Sequence, residues 1–308
     1  MGTDSKPDLD LLVIAGHTAA GKTALAALVA HRLGGEIISA DSRQVYRGMD
    51  LGTGKDYDDY VVEGQRVPAH LIDIRDAGER YSLFDFAEDC KKSISLIQAR
   101  RKLPVLCGGT GLYIEAILKD YALMEVPRDE TFRNECGNRS DEELISELAS
   151  YGPLHNSTDT SERERLVRAL EIARFRSVNH SRTDESVTGR YKLFCIRFER
   201  EERRSRITER LRQRLDAGMV DEVRKLLKTV RPEDLMYYGL EYRYLTQYCV
   251  GEISYDAMFT ALNTAIHQFS KRQLTWFRGM ENRGIPITWI PGELSNEEKI
   301  GIILEQIR

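Results

Sequence analysis

Apolar positions along the chain follow two rhythms, and the order in which these alternate predicts an open parallel sheet flanked by helices. Compact apolar runs at 11–15 (LLVIA), 36–40 (EIISA) and 103–107 (LPVLC) read as buried strands. So do 67–74 (VPAHLIDI) and the alternating, β-rich run at 191–198 (YKLFCIRF). Between them, 24–33, 82–101 and 112–118 have the composition or spacing of helices. Beyond the fifth run, Ile207, Leu211 and Leu215 form a helical stripe over 201–217, bordered by Arg206, Arg210 and Arg214. Gly218 interrupts that helix, which resumes over 220–228. A further helix over 255–279 carries Met258, Leu262, Ala265, Ile266 and Phe269 at the same spacing. Residues 125–189 differ: they are charged and polar, with helices predicted over 141–150 and 161–175, the first behind Ser140 as N-cap with Glu143 in capping-box position. The fold class is therefore α/β, with a core of 8–124 and 190–308 and a mainly helical insertion at 125–189.

Composition narrows the picture. A chain of 308 residues, 41% hydrophobic, can bury a large core, and a net charge of -4 supplies no global attraction for nucleic acid. Any polyanion must be held by local basic clusters, such as the arginines at 163, 165, 168, 174 and 176, for which composition alone favours a solvated face. The five cysteines are far apart with no C-x-x-C pair, which argues against a cysteine zinc site or a disulfide framework. Asp4, Asp8 and Asp10 occupy the first residues without an apolar run behind a basic segment, and no stretch has the length of a membrane span. A cytoplasmic, monomeric protein with no membrane partner is the expectation.

The chemistry begins at Gly16. After the first strand, Gly16, His17, Thr18, Ala19, Ala20, Gly21, Lys22 and Thr23 have the full spacing of a phosphate-binding loop, with a helix following. Glycines let consecutive N–H groups turn toward an anion, Lys22 adds a mobile charge, and the Thr23 hydroxyl can ligate Mg²⁺. The helix N-terminus favours the same anion. The second strand delivers Asp41 to the sheet edge where ligands bind in parallel α/β folds, although an isolated Asp more often caps a turn. The fourth strand ends in Gly108, Gly109, Thr110 and Gly111, a tight turn that can bring Thr110 to the same edge. Near the end of the last helix, Lys271, Arg272, Gln273, Trp276 and Arg278 mix cations with rings, which suits an RNA surface or ordinary packing. From these residues alone the reading is a phosphate-loop enzyme, with small-molecule kinase as the default.

Taken together, the motifs resemble the tRNA dimethylallyltransferases over nearly the whole chain. The resemblance rests on GHTAAGKT (16–23), ADSRQVYRGMDLGTGK (40–55), AHLIDI (69–74), YS with a following DF (81–86), GGTGLYIEAIL (108–118), RLVRALEI (165–172) and SKRQLTWFR (270–278). The chain departs from the family pattern at His17, where Pro is usual, at Ala20, where Ser or Gly is usual, and at Asp56, which follows Lys55 where Pro is usual. The Gly-Tyr-Arg pattern is also altered, at Tyr238, Gly239, Leu240, Glu241, Tyr242 and Arg243.

The resemblance implies a P-loop NTPase-like core and transfer of a dimethylallyl group from dimethylallyl diphosphate to N6 of the adenosine next to the anticodon, position 37. It implies that Lys22, Thr23, the loop amides and Arg206 hold the diphosphate with Mg²⁺. Asp41 would accept an N6 proton or hydrogen bond, and Thr110 would orient the departing diphosphate. A base stacked in an anticodon arm must be drawn out to react, so Asp41, Ser42, Arg43, Gln44, Arg165, Arg168, Lys271, Arg272, Gln273, Trp276 and Arg278 become the candidate tRNA contacts. The alternatives are a free-nucleotide isopentenyltransferase, the small-molecule kinase already named, and a nucleotide-dependent RNA-binding switch without catalysis.

Overall fold

The computed structural model describes residues 8–121, 123, 125–152, 163–179 and 189–307. Its centre is β1 (Leu11–Gly16), whose six residues are all buried, as a parallel strand covered on both faces requires. From there the chain runs through α1 (Lys22–Leu33), β2 (Glu36–Ser39), a small antiparallel hairpin of β3 (Val61–Val62) and β4 (Gln65–Arg66), then β5 (Ala69–His70). It continues with α2 (Leu83–Ala99), β6 (Pro104–Gly108) and α3 (Gly111–Leu118), and after the insertion with β7 (Tyr191–Arg197) once three helices have intervened. Those three are α4 (Glu130–Gly137), α5 (Asp141–Ser150) and α6 (Arg163–Val178). The last part comprises α7 (Arg200–Asp216), α8 (Met219–Leu226), α9 (Pro232–Tyr237), α10 (Leu240–Cys249), α11 (Tyr255–Asn282), β8 (Thr288–Pro291) and α12 (Asn296–Ile307).

Six of the strands form one parallel sheet in the order β5-β2-β6-β1-β7-β8. This is the α/β class that the apolar runs predict. One face of the sheet is closed by α1 and α12: Leu25, Ala26, Val29, Ile300, Ile303 and Ile307 share a core with Leu12, Ile14, Ile37, Val105 and Phe194. The order of the strands brings the C-terminal ends of β1, β2 and β6 side by side, so the loops after them meet at one edge.

Among the described residues the chain divides into two compact units, with boundaries between 120 and 121 and between 185 and 186. The smaller has its own core of Phe132, Cys136, Leu144, Leu148, Leu166, Val167 and Leu170. Its capping box is formed: Ser140 Oγ accepts from the Glu143 amide, and the Glu143 carboxylate accepts from the Ser140 amide. Ser161 and Glu162, which the periodicity included in α6, lie outside the described residues.

Several boundaries differ from the sequence reading. The run 67–74 yields only the two residues of β5, because Leu71 (φ 62°) and Asp73 (φ 56°) turn the backbone out of the extended region. Gly218 ends α7 in a left-handed conformation (φ 101°), as its position suggested. The periodicity gave no notice of α4, α9, α10, β8 or α12. For α9 and α10 the helices are short, and Pro232 and Gly239 stand at their starts, where they read equally well as loop punctuation.

Candidate active site

The loop after β1 is built by close approach of backbones. A Cβ on Gly16 would stand 2.9 Å from the Ile196 carbonyl oxygen, so the neighbouring strand admits only glycine there. Ala19 (φ 60°) and Gly21 (φ 75°) then curl the chain into α1, whose second residue is Thr23. Lys22 lies across the loop, its Nζ donating to the His17 carbonyl at 2.8 Å, and burial lowers the pKa of its ammonium. His17 is fully buried, edge-on to Phe198 at 6.0 Å between centroids. Burial first, then the charges of Lys22, Arg203 and Arg206, push its pKa down to about 4, outweighing the contact to the Thr18 carbonyl, so the ring is neutral at pH 7. Its Nδ1 lies 2.6 Å from the Thr18 carbonyl oxygen and must carry the proton, since a carbonyl can only accept. Nε2 is therefore an acceptor, without a partner among the described residues.

The other two loops converge on this one. The Thr110 amide donates to the Ala40 carbonyl and the Thr110 Oγ1 accepts from the Ser42 amide, each at 3.4 Å, which joins the end of β6 to the segment carrying Asp41. Asp41 Oδ1 accepts from the Arg43 amide at 2.9 Å; its Oδ2 makes no hydrogen bond among the described residues. Asp41 is thus a turn cap with one oxygen left for other use. On α11, Gln273 joins the phosphate loop to the β6–α3 turn. Its Oε1 accepts from the Thr18 amide and its Nε2 donates to the Gly109 carbonyl, both at 2.9 Å.

Two glutamines expected to face RNA are turned inward. Gln273 is buried in the bridge just described, and Gln44 is buried with both ends of its amide used. Its Oε1 accepts from Ser39 Oγ at 2.9 Å and its Nε2 donates to the Gly54 carbonyl at 3.1 Å. Sequence could not distinguish these amides from exposed ones, because polar type predicts exposure while a buried amide with both ends satisfied costs little. Trp276 is half-buried, its ring occupying the space that a side chain on Gly111 would need. Lys271, Arg272 and Arg278 are exposed on α11, within two turns of Gln273. Ser42 and Arg43 are half-buried beside Asp41, the Arg43 guanidinium 5.4 Å from the Tyr237 ring. In the smaller unit, Arg165 is exposed, whereas Arg168 donates to Glu171 at 2.5 Å and to the Val126 carbonyl at 2.7 Å. Arg206 Nε donates to the Ala19 carbonyl at 3.1 Å, and its guanidinium lies over Phe198 at 4.4 Å, which sets it against the phosphate loop.

A second set of residues holds the segment after Asp41, and sequence gave no sign of it. The Glu222 carboxylate on α8 accepts from the amides of Asp50, Leu51 and Gly52 at 2.7–3.1 Å and from the Tyr242 hydroxyl at 2.6 Å. Lys55, its side chain wholly buried, donates to Asp50, Asp73 and the Tyr46 carbonyl. The Tyr57 hydroxyl donates to Asp73 at 2.6 Å, and burial with these carboxylates pushes its pKa up. Lys55 and Asp50 read only as parts of a polar loop, since their partners outside it, Asp73 and Glu222, lie 18 and 172 residues away.

Comparison with known proteins places this geometry. The family model described as IPP transferase matches residues 44–280, and the one described as Isopentenyl transferase matches 9–75. The chain is 50% identical over 303 residues to tRNA dimethylallyltransferase 2 of Bacteroides fragilis, covering 98% of this chain and 99% of that one. It is 51% identical over 292 residues to tRNA dimethylallyltransferase 1 of Parabacteroides distasonis, covering 94% and 95%. Among solved structures, the full-length tRNA isopentenylpyrophosphate transferase of Bacillus halodurans is similar at a TM-score of 0.70 and 32% identity, over 96% of this chain and 95% of that one. A eukaryotic dimethylallyltransferase acting on tRNA shares the fold at a TM-score of 0.76 and 19% identity, over 96% and 79%. With a family model spanning most of its length and relatives at half identity over nearly all of it, the chain belongs to the IPP transferase family.

Proposed function

We propose that the chain transfers a dimethylallyl group from dimethylallyl diphosphate to N6 of adenosine 37, next to the anticodon of tRNA. The observation that carries the reading is Gln273. One helix, α11, ties the phosphate loop to the Thr110 turn and, within two turns of the same helix, exposes Lys271, Arg272 and Arg278. The loops that would hold the donor are thus tied to the helix that carries the basic surface.

In this reading the diphosphate lies against the loop amides, Lys22 and Arg206. N6 attacks C1 of the donor as the C1–O bond breaks, the diphosphate leaves, and the N6 proton passes to the unpaired Oδ2 of Asp41. Adenine N6 is a poor nucleophile because its lone pair is delocalised, so alignment and stabilisation of the leaving group carry most of the barrier reduction. Thr110 stands between the Asp41 segment and the end of β6, where its hydroxyl can orient a departing oxygen. The residues suit Mg²⁺. Among the described residues there is no cluster of three His, Cys, Asp or Glu to cage a metal, and Thr23 offers a single hydroxyl. Thr23 would contribute that hydroxyl to a Mg²⁺ ion bound with the diphosphate. When bound, it neutralises charge on the diphosphate. The basic residues of α11 and Arg165 hold the RNA backbone.

The test is incubation with labelled dimethylallyl diphosphate and an unmodified anticodon stem-loop, with AMP and ATP as competing acceptors. Label is expected on the stem-loop. Labelling of AMP at an equal rate would move the assignment to the free-nucleotide branch, and phosphoryl transfer from ATP without prenylation would make the chain a kinase.

A further inference from the structure

The end of α9 carries an aromatic side chain that core packing does not account for. Tyr237 is 42% exposed, whereas its neighbour Tyr238 is buried. Two guanidinium groups from elsewhere in the chain converge on the exposed ring, that of Arg80 at 3.8 Å from its centroid and that of Arg43 at 5.4 Å. The first distance is short enough for a planar guanidinium to stack on the ring. Both arginines approach on anchored segments. The Tyr238 hydroxyl accepts from the Gly78 amide at 2.6 Å and donates to the Glu79 carbonyl at 2.8 Å, which pins the residues before Arg80 to α9. The Tyr238 ring packs edge-on to Tyr46 at 4.5 Å and so ties α9 to the segment that follows Asp41. The Arg43 amide donates to Asp41, and the Arg43 side chain crosses Gly239, its Nε 3.7 Å from where a Cβ would be. Asp41, Arg43, Tyr46 and Tyr237 all act electrostatically on Tyr113, three residues after Thr110, so the exposed ring shares a neighbourhood with the loops that carry Asp41 and Thr110.

A cation–π contact at the surface explains Arg80 over the ring by itself. It does not explain a second guanidinium on the same ring, carried only two residues beyond Asp41, a separation that spans at most about 7 Å of chain. We infer that Tyr237, with Arg80 and Arg43 beside it, is the platform on which the base next to the reacting adenosine stacks. The inference rests on the prenylation reading given above and names the residue that receives the acceptor's neighbouring base. Drawing one adenine out of an anticodon loop toward Asp41 breaks its stacking and leaves the neighbouring base with an open face. An exposed ring flanked by guanidinium planes offers a replacement surface, and the same cations meet the phosphates on either side of that base. Because every base has a π face, such a platform positions the strand without reading its sequence. A tyrosine that served only to cover Arg80 would leave RNA binding unchanged when its ring is removed.

Titration of an unmodified anticodon stem-loop against Tyr237→Leu tests the platform. The variant should bind about tenfold more weakly, the scale of one base–aromatic stack, with pyrophosphate affinity and melting temperature unchanged. The salt dependence should keep its slope, because a ring releases no counterions. Tyr237→Phe retains the ring and should bind within twofold of the parent chain. A stem-loop with abasic nucleotides on both sides of the adenosine should bind the parent and Tyr237→Leu equally, since the contact that the substitution removes is already gone. Tyr237→Gln repeats the comparison with a polar side chain should leucine disturb folding. Equal affinity of the parent and both variants for the intact stem-loop overturns the platform. So does a loss that persists on the abasic stem-loop, or one that comes with a flattened salt slope, which would mark a phosphate contact. Dimethylallyl transfer separates the two readings. The expected binding pattern in a chain that prenylates no acceptor upholds the platform and sinks the prenylation reading, whereas normal transfer with no loss of affinity in either variant sinks the platform alone.

Discussion

Replacing Gln273 separates a structural bridge from an RNA contact. The side chain is buried and makes two bonds of 2.9 Å, from the Thr18 amide and to the Gly109 carbonyl. In Gln273→Ala both backbone groups lose their partner. The Gly109 carbonyl is enclosed and bears most of the desolvation penalty, while Thr18 is half-exposed and recovers part of its loss from water. At roughly 1–3 kcal/mol for each group left unsatisfied, the pair costs about 3 kcal/mol. At about 1.5 °C per kcal/mol for a chain of 308 residues, the melting temperature should fall by about 5 °C. The loop also loses the contact that fixes Thr18, so pyrophosphate affinity should drop at least tenfold while stem-loop affinity stays within twofold. Gln273→Glu sharpens the argument: it can still accept from Thr18 but sets a carboxylate oxygen against the Gly109 carbonyl and adds a negative charge beside the loop, so it should bind pyrophosphate more weakly than the alanine variant. The assays are thermal unfolding, calorimetry with pyrophosphate and a stem-loop binding titration. Loss of stem-loop affinity with unchanged melting and pyrophosphate binding would refute the bridge and restore Gln273 to the RNA surface.

Four other outcomes are expected. Asp41→Asn should lower the single-turnover transfer rate by about 10²- to 10⁴-fold, the range of general-base contributions, with stem-loop affinity preserved; equal losses in rate and affinity would make Asp41 a binding or structural residue. His17, at about 4 when folded against 6.5 as the reference value, is a group whose proton the unfolded chain binds first. Stability should therefore rise with pH between about 4 and 6.5 and level off above, with about 3 kcal/mol at stake from this residue; a His17→Gln variant with the same acid limb in its unfolding profile would exclude the histidine as the cause. For RNA binding, Arg272→Gln should flatten the salt dependence by about 0.7 in log–log slope, the counterion release of one single-strand phosphate contact. Arg168→Gln should instead reduce stability, because it frees one partner of the buried Glu171, and a flattened slope in that variant would return Arg168 to the RNA contacts.

The parts of this molecule legible in its sequence are those whose causes are local. The six buried residues of β1, the spacing from Gly16 to Thr23, the Ser140–Glu143 box and the left-handed Gly218 all follow from neighbours within a few positions. Asp41 was placed at the sheet edge because a parallel strand delivers its following residue there, and the structure shows it both capping a turn and keeping one oxygen unpaired. What was not legible depends on partners far along the chain. Gln44 and Gln273 stand among the RNA contacts that the resemblance implies, yet each satisfies buried backbone from a position 10 to 255 residues away. The Asp56 pair with Arg210 spans 154 residues, and a sequence can show the row of arginines without showing which carboxylate meets it.

The long-range set explains how a segment without regular structure can hold chemistry in place. From Asp41 to Asp56 the chain has one isolated bridge, from Tyr46 to Arg75, and no strand or helix. Left to itself, such a stretch would sample many conformations, and ordering each residue would cost about 1–2 kcal/mol. Glu222 answers part of that cost by accepting from three successive amides, charge-assisted bonds stronger than neutral ones, while Tyr242 fixes the carboxylate from the other side. The ring of Tyr242 lies 2.6 Å from where a Cβ on Gly52 would be, so the loop is held by shape as well as by hydrogen bonds. Gln44 then ties the ordered end of the loop, at Gly54, back to Ser39 on β2, two residues before Asp41. Rigidity therefore passes from α8 through the loop to the carboxylate, and not from the sheet alone. It follows that the position of Asp41 depends on residues that touch neither donor nor acceptor.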